Sequence, residues 1–68
     1  MQREQFLRRL RRLARKRALE LEVDKTLGKG SHYRARLSGR LTTVQSGDLS
    51  PGHVRRICEQ LGIDPSDL

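Results

Sequence analysis

The sequence predicts an α+β domain of order α-β-β-β-α, a three-stranded antiparallel sheet with two helices on one face. Three observations predict it. Residues 3–17 carry apolar side chains at helical spacing, residues 19–45 alternate between glycine-bearing turns, and residues 50–62 return to helical spacing. At 68 residues the chain is one domain, expected over 1–68. A chain of this size hides only about 60% of its unfolded surface, so its core is thin.

In the first helix, Phe6, Leu7, Leu10, Leu13 and Ala14 form one stripe. The remaining surface is basic: Arg3, Arg8, Arg9, Arg11, Arg12, Arg15, Lys16 and Arg17 are opposed only by Glu4. Leu19, Leu21 and Val23 then alternate with Glu20, Glu22 and Asp24, which predicts a half-buried first strand. Lys25 to Ser31, with Gly28 and Gly30, reads as a hairpin loop. The alternation resumes from His32, with Tyr33, Ala35 and Leu37 on the core face and His32, Arg34 and Arg36 on the other. Ser38-Gly39 is a two-residue turn signal, and Arg40 to Gln45 returns as a third strand. This register sets Tyr33 against Val44 and Ala35 against Thr42, and leaves Leu41 on the face of Arg34 and Arg36. Ser46-Gly47-Asp48 breaks the strand. Ser50 caps a second helix, Pro51 opens it, Val54, Ile57, Cys58 and Leu61 form its apolar stripe, and Gly62 stops it. Asp64 to Asp67 offers one more short turn.

Fifteen Lys and Arg stand against eight Asp and Glu, a net charge of +7 and a pI near 11.1. Such a field attracts polyanions, nucleic acid first and an anionic membrane surface or acidic protein second. A solvated helix face normally mixes charge signs, because like charges four residues apart repel. The one-signed face of residues 3–17 therefore points to polyanion contact, with Arg8, Arg12 and Arg15 as expected RNA-binding residues. The lone Cys58 excludes an internal disulfide and falls on an apolar stripe, where a packed thiol is expected. No apolar run reaches signal-peptide or membrane-span length, and a cytoplasmic location is expected. An Arg-rich transit peptide is set aside, because its removal would take the first helix with it.

Metal-free ribonuclease chemistry needs a base for the ribose 2′-OH, cations for the phosphorane and an acid for the leaving oxygen. Histidine changes charge near neutral pH and suits the proton transfers. His32 follows a glycine-bearing loop, beside Lys29 and in line with Arg34 and Arg36. Gly30 and Ser31 offer backbone N–H groups for close approach to a phosphate. An exposed strand histidine is ordinarily a surface residue, so this pattern alone does not decide for catalysis. His53, in the first turn of the second helix, is a weaker candidate. The carboxylates Glu20, Glu22 and Asp24 read as a solvated strand side or as partners for nearby arginines. No metal-ligand spacing and no Walker-type or dinucleotide motif occurs, so no cofactor is expected.

Gly30-Ser31-His32-Tyr33, followed after a short hairpin by the run from Ser46-Gly47-Asp48-Leu49-Ser50-Pro51-Gly52 to Leu61-Gly62-Ile63, resembles the HicA toxins of bacterial toxin–antitoxin pairs. The resemblance covers most of the chain. It implies a fold like a double-stranded-RNA-binding domain, a metal-independent mRNA endonuclease with His32 essential, and a HicB-like antitoxin covering the active surface. The chain departs from the family pattern in four places. It has Arg17-Ala18-Leu19 where a Gly-aromatic pair is usual, a first hairpin with Lys25 to Gly30 that is longer than usual, Val44-Gln45 where a proline and often a second histidine stand, and His53 where Thr is frequent. A non-catalytic basic RNA-binding module is the competing reading, since fold and charge serve both. A DNA-binding helix is weaker, because residues 3–17 hold few side chains that read base edges.

Overall fold

In the computed structural model, which describes residues 1–25 and 32–68, the expected order is present. Helix α1 spans Arg3–Lys16, strands β1, β2 and β3 span Leu21–Asp24, Tyr33–Leu37 and Arg40–Val44, and helix α2 spans Pro51–Leu61. A short 3₁₀ turn, Pro65–Asp67, follows. The sheet is antiparallel in the order β1-β2-β3.

Register follows from the turn. Ser38 and Gly39 both take positive φ, 48° and 87°, the pair of left-handed conformations that matches strand twist in a two-residue hairpin. Tyr33 therefore faces Val44, Ala35 faces Thr42 and Leu37 faces Arg40. On the other side of β2, Leu21 faces Leu37 and Val23 faces Ala35. Ala35, Leu37, Thr42 and Val44 are buried on one sheet face. Phe6, Leu7, Leu10 and Ala14 of α1 and Val54, Ile57, Cys58 and Leu61 of α2 join them in a single core. The Thr42 hydroxyl donates to the Gln60 side-chain oxygen, so this buried polar group is satisfied from α2.

The helix ends explain themselves locally. The Ser50 hydroxyl accepts from the His53 amide, and Pro51 costs the helix no hydrogen bond at its first position. At the other end, Gly62 is left-handed (φ 74°), with Gly62 N–H bonded to Glu59 and Ile63 N–H to Cys58. Helix α1 ends the same way on a residue that is not glycine. Ala18 takes φ 54° while its N–H reaches Arg15 and the Leu19 N–H reaches Ala14. This reversal consumes Leu19, which packs on the core but precedes β1, so the strand begins two residues later than the alternation suggested.

Two further points depart from the sequence reading. Leu49, assigned to no element, is 1% exposed. It is held there because the chain before α1 pairs with residues 47–49: Gln2 bridges Asp48, Arg3 N–H reaches Gly47 and Leu49 N–H reaches Met1. Arg3 does not belong to the basic surface. It is buried at 8% exposure, with its guanidinium 3.6 Å above the Tyr33 ring. Its position at the helix start turns it toward β2 rather than outward.

Candidate nucleic-acid interface

With Arg3 inside, the outward face of α1 consists of Arg8, Arg9, Arg11, Arg12, Arg15 and Lys16, all exposed. Helical periodicity sorts them. Arg11 and Arg15 lean to one side, Arg9 and Lys16 to the other, and Arg8 and Arg12 lie along the crest. Among the described residues, none of these cations makes an ion pair. The ion pairs nearby lie at the margins: Arg3 with Glu4 at 3.2 Å and Arg17 with Asp67 at 2.8 Å. Glu4 has its carboxyl held below the usual range, first by a backbone hydrogen bond in the first turn and then by Arg3.

A groove runs along each flank. The first, about 440 Å³, lies between α1 and the β1–β2 end and takes Arg11 and Arg15 together with Lys25 and Tyr33. The second, about 670 Å³, lies toward the C-terminal turn and takes Arg9, Lys16 and Arg17. Arg8 and Arg12 line both. The expected contacts Arg8, Arg12 and Arg15 are therefore together on this surface. Lys25 and Tyr33 join them only through the fold, because β1 and β2 bring their ends beside α1, which no spacing in the sequence displays.

The open sheet face is different. Asp24 lies opposite Arg34 and Glu22 opposite Arg36 across the β1–β2 ladder. With Leu41 they surround a small hollow of about 130 Å³. Opposite charges directly across a ladder attract each other. Arg34 and Arg36 thus each face a carboxylate directly across the ladder, whereas the carboxylates nearest the α1 cations, Glu4 and Asp67, lie at the margins of the two grooves. Leu41 is 49% exposed on this face, as the register requires.

His32 is exposed and immediately precedes β2. Among the described residues its side chain makes no hydrogen bond or ion pair, so the imidazole is open to a ligand. The expected contacts Lys29, Gly30 and Ser31 lie outside the described residues, as does most of the first hairpin loop. His53 is half-buried on another side of the molecule, in a cleft with Thr43, Arg56 and Gln60. Cys58 is fully buried, and burial, then the Asp64 carboxylate, pushes its thiol pKa up, which suits a packing role. Among the described residues, no three His, Cys, Asp or Glu side chains gather as a metal-binding group, and no helix is long and apolar enough to cross a membrane.

Comparison of the chain with protein-family models, with curated proteins and with solved structures gives no match.

Proposed function

We propose that this chain is a HicA-like endoribonuclease that grips mRNA through the cationic face of α1 and cleaves it with His32, without a metal. The observation that carries the reading is the unpaired, one-signed surface of Arg8, Arg9, Arg11, Arg12, Arg15 and Lys16. A helix whose apolar stripe is buried in its own core gains nothing from that charge in folding, and it has no apolar face left to insert into a membrane. Phosphates are the ligand that such a surface suits.

The catalytic half rests on the Gly30-Ser31-His32-Tyr33 resemblance and on the availability of His32. In the reaction, His32 takes the proton of a ribose 2′-OH, and the 2′-oxygen attacks the adjacent phosphorus. The bond to the 5′-oxygen breaks as that oxygen takes up a proton from water. The products are a 2′,3′-cyclic phosphate and a 5′-hydroxyl. A HicB-like antitoxin is the proposed inhibitor, seated over His32 and the open sheet face, and both proteins would act in the cytoplasm.

One observation favours a second reading. Arg34 and Arg36 face carboxylates across the β1–β2 ladder, and the His32 side chain makes no hydrogen bond among the described residues that would orient it for proton transfer. A domain that binds RNA without cutting it has the same surface. His32→Ala separates the two in an assay on purified RNA with EDTA present. Loss of a positioned acid or base lowers a rate by about 10²–10⁴-fold. Replacing an exposed side chain changes stability by less than about 0.5 kcal/mol, so the fold and the RNA affinity should persist. Cleavage by the variant at the wild-type rate removes His32 from the mechanism, and no cleavage by the wild type leaves the binding module.

A further inference from the structure

Strand β3 ends the sheet, and the side it turns away from β2 is open. We propose that this edge accepts an extended acidic segment of a partner protein as a fourth, antiparallel strand, with an Asp or Glu of that segment held against Arg56 and His53 of α2. The cleft involved shares no lining residue with the two grooves of α1, so the proposal goes beyond RNA binding and does not rest on it.

The turn fixes which backbone groups are free. Leu37 and Arg40 flank a two-residue hairpin turn and form a hydrogen-bonded pair, and such pairs recur at every second position. Thr42 and Val44 therefore bond to Ala35 and Tyr33, while the N–H and C=O of Leu41 and Thr43 point out of the sheet edge. The other side of β2 agrees: Ser38 N–H bonds to Glu20, so Arg34 and Arg36 serve β1. Among the described residues, no group reaches the outward N–H and C=O of Leu41 and Thr43. Edge strands are ordinarily protected by charge, proline or a bulge. Strand β1 carries Glu22 and Asp24, whereas Leu41-Thr42-Thr43 has no charge and no proline, and its ladder is continuous.

Helix α2 supplies the second wall. His53, Arg56 and Gln60 share one line of the helix and, with Ile57, face Leu41, Thr42 and Thr43 across a cleft of about 280 Å³. An incoming antiparallel strand pairs one residue with Leu41 and another with Thr43. The residue between them lies opposite Thr42 and shares its face, toward α2. Arg56 is exposed and makes no ion pair among the described residues, and no carboxylate lines the cleft. Gln60 already accepts from the Thr42 hydroxyl, which leaves its amide N–H groups to donate. His53 adds a ring N–H. This wall presents donors to the central side chain, and a carboxylate is what they select. The residues on either side of it lie on the open sheet face beside Leu41, which is 49% exposed, and are expected to be apolar.

A peptide is favoured over RNA because an extended peptide brings alternating donors and acceptors to a strand edge. A second copy of this chain is disfavoured. Its β3 brings Arg40 and no carboxylate, its Glu22 and Asp24 already lie opposite Arg36 and Arg34, and two copies of net charge +7 repel each other.

The test uses the whole chain and a short labelled peptide with Glu at its centre, Val on either side and Ser at both ends. Anisotropy reads the affinity, and NMR reads hydrogen exchange amide by amide. Binding should slow exchange of the Leu41 and Thr43 amides. N-methylation of both Val residues removes the donors that reach the edge and should weaken binding by about tenfold, as should Gln in place of the central Glu. Arg56→Gln should weaken the Glu peptide by about tenfold and leave the Gln peptide unchanged. Arg55→Gln, outside the cleft, should change neither. Equal binding of the N-methylated peptide, or unchanged exchange at Leu41 and Thr43, overturns strand addition. Equal binding of the Gln peptide overturns the acidic preference. A chain that dimerises alone, with those two amides already protected, makes a second copy the occupant and overturns the proposal, and so does RNA that protects them in place of the peptide. No binding of the Glu peptide at low salt overturns it as well and leaves the RNA reading standing.

Discussion

Ala18→Gly should stabilise this protein, and Gly62→Ala should destabilise it, because the two residues occupy equivalent places. Each follows a helix, each takes positive φ (54° and 74°), and each sits within the same pair of reversed hydrogen bonds. An L side chain in the left-handed region costs about 1–2 kcal/mol. Glycine there gives back about 0.4–1 kcal/mol through the freer unfolded chain. The net gain for Ala18→Gly is about 0.5–1 kcal/mol, which in a domain of this size raises Tm by about 2–8 °C. Gly62→Ala bears the same conformational cost, and its new Cβ would also meet the Arg40 guanidinium at 3.0 Å. Urea titrations followed by circular dichroism read both, and the RNA affinity of Ala18→Gly should stay at the wild-type value. A lower urea midpoint for Ala18→Gly would refute the reasoning, since it would mean that the left-handed cap is not the conformation the folded chain adopts.

The remaining predictions use the same surface and core. Arg3→Ala should lower stability through its lost cation–π contact, about 0.5–2 kcal/mol, and leave RNA affinity unchanged, whereas Arg11→Ala should do the reverse; denaturation and anisotropy on the same samples decide. The Cys58 thiol, buried and pushed toward its neutral form, should resist a thiol reagent at pH 8 in the folded protein and react on addition of denaturant; rapid native labelling would contradict its packing. The Asp64 carboxyl is held below the usual range by the Ser66 N–H and then the Ser66 hydroxyl. A depressed carboxyl stabilises the fold above its unfolded pKa and loses that contribution as pH falls below about 4, so Asp64→Ala should show a shallower acid limb in a pH–stability profile.

Much of the architecture could be read from spacing alone, because burial period and turn chemistry agree with each other along most of the chain. The Ser38-Gly39 turn determined which residues share a face, and even the exposed Leu41 followed from it. Tertiary context decided the rest. Leu49 carries no periodic signal, and only the bridge between Gln2 and Asp48 shows why it is buried. Arg3 stands in a run of surface arginines, yet its place one turn ahead of Phe6 and Leu7 puts it on the inner side against Tyr33. Lys25 reaches α1 because β1 ends there, and Tyr33 because β2 starts beside it. The charge of α1 was legible as composition, but its division into two flanks needed the buried stripe to establish which way the helix faces.

The two basic regions differ in kind, and the difference bears on how binding and chemistry divide. On the sheet, Glu22 and Asp24 lie opposite Arg36 and Arg34, so charge there is balanced within the fold. On α1, neighbours three and four residues apart repel one another. The helix persists because Phe6, Leu10 and Ala14 anchor it to the sheet and to α2. A face that opposes its own helix and makes no ion pair among the described residues is what the proposed function accounts for, with a ligand that brings the missing negative charge. His32 stands at the start of β2, and in the proposed reading it adds one side chain to an affinity spread over many cations. Substitutions on α1 should therefore weaken binding step by step, each by its share of phosphate contact. Substitution of His32 should leave binding in place and act on cleavage alone.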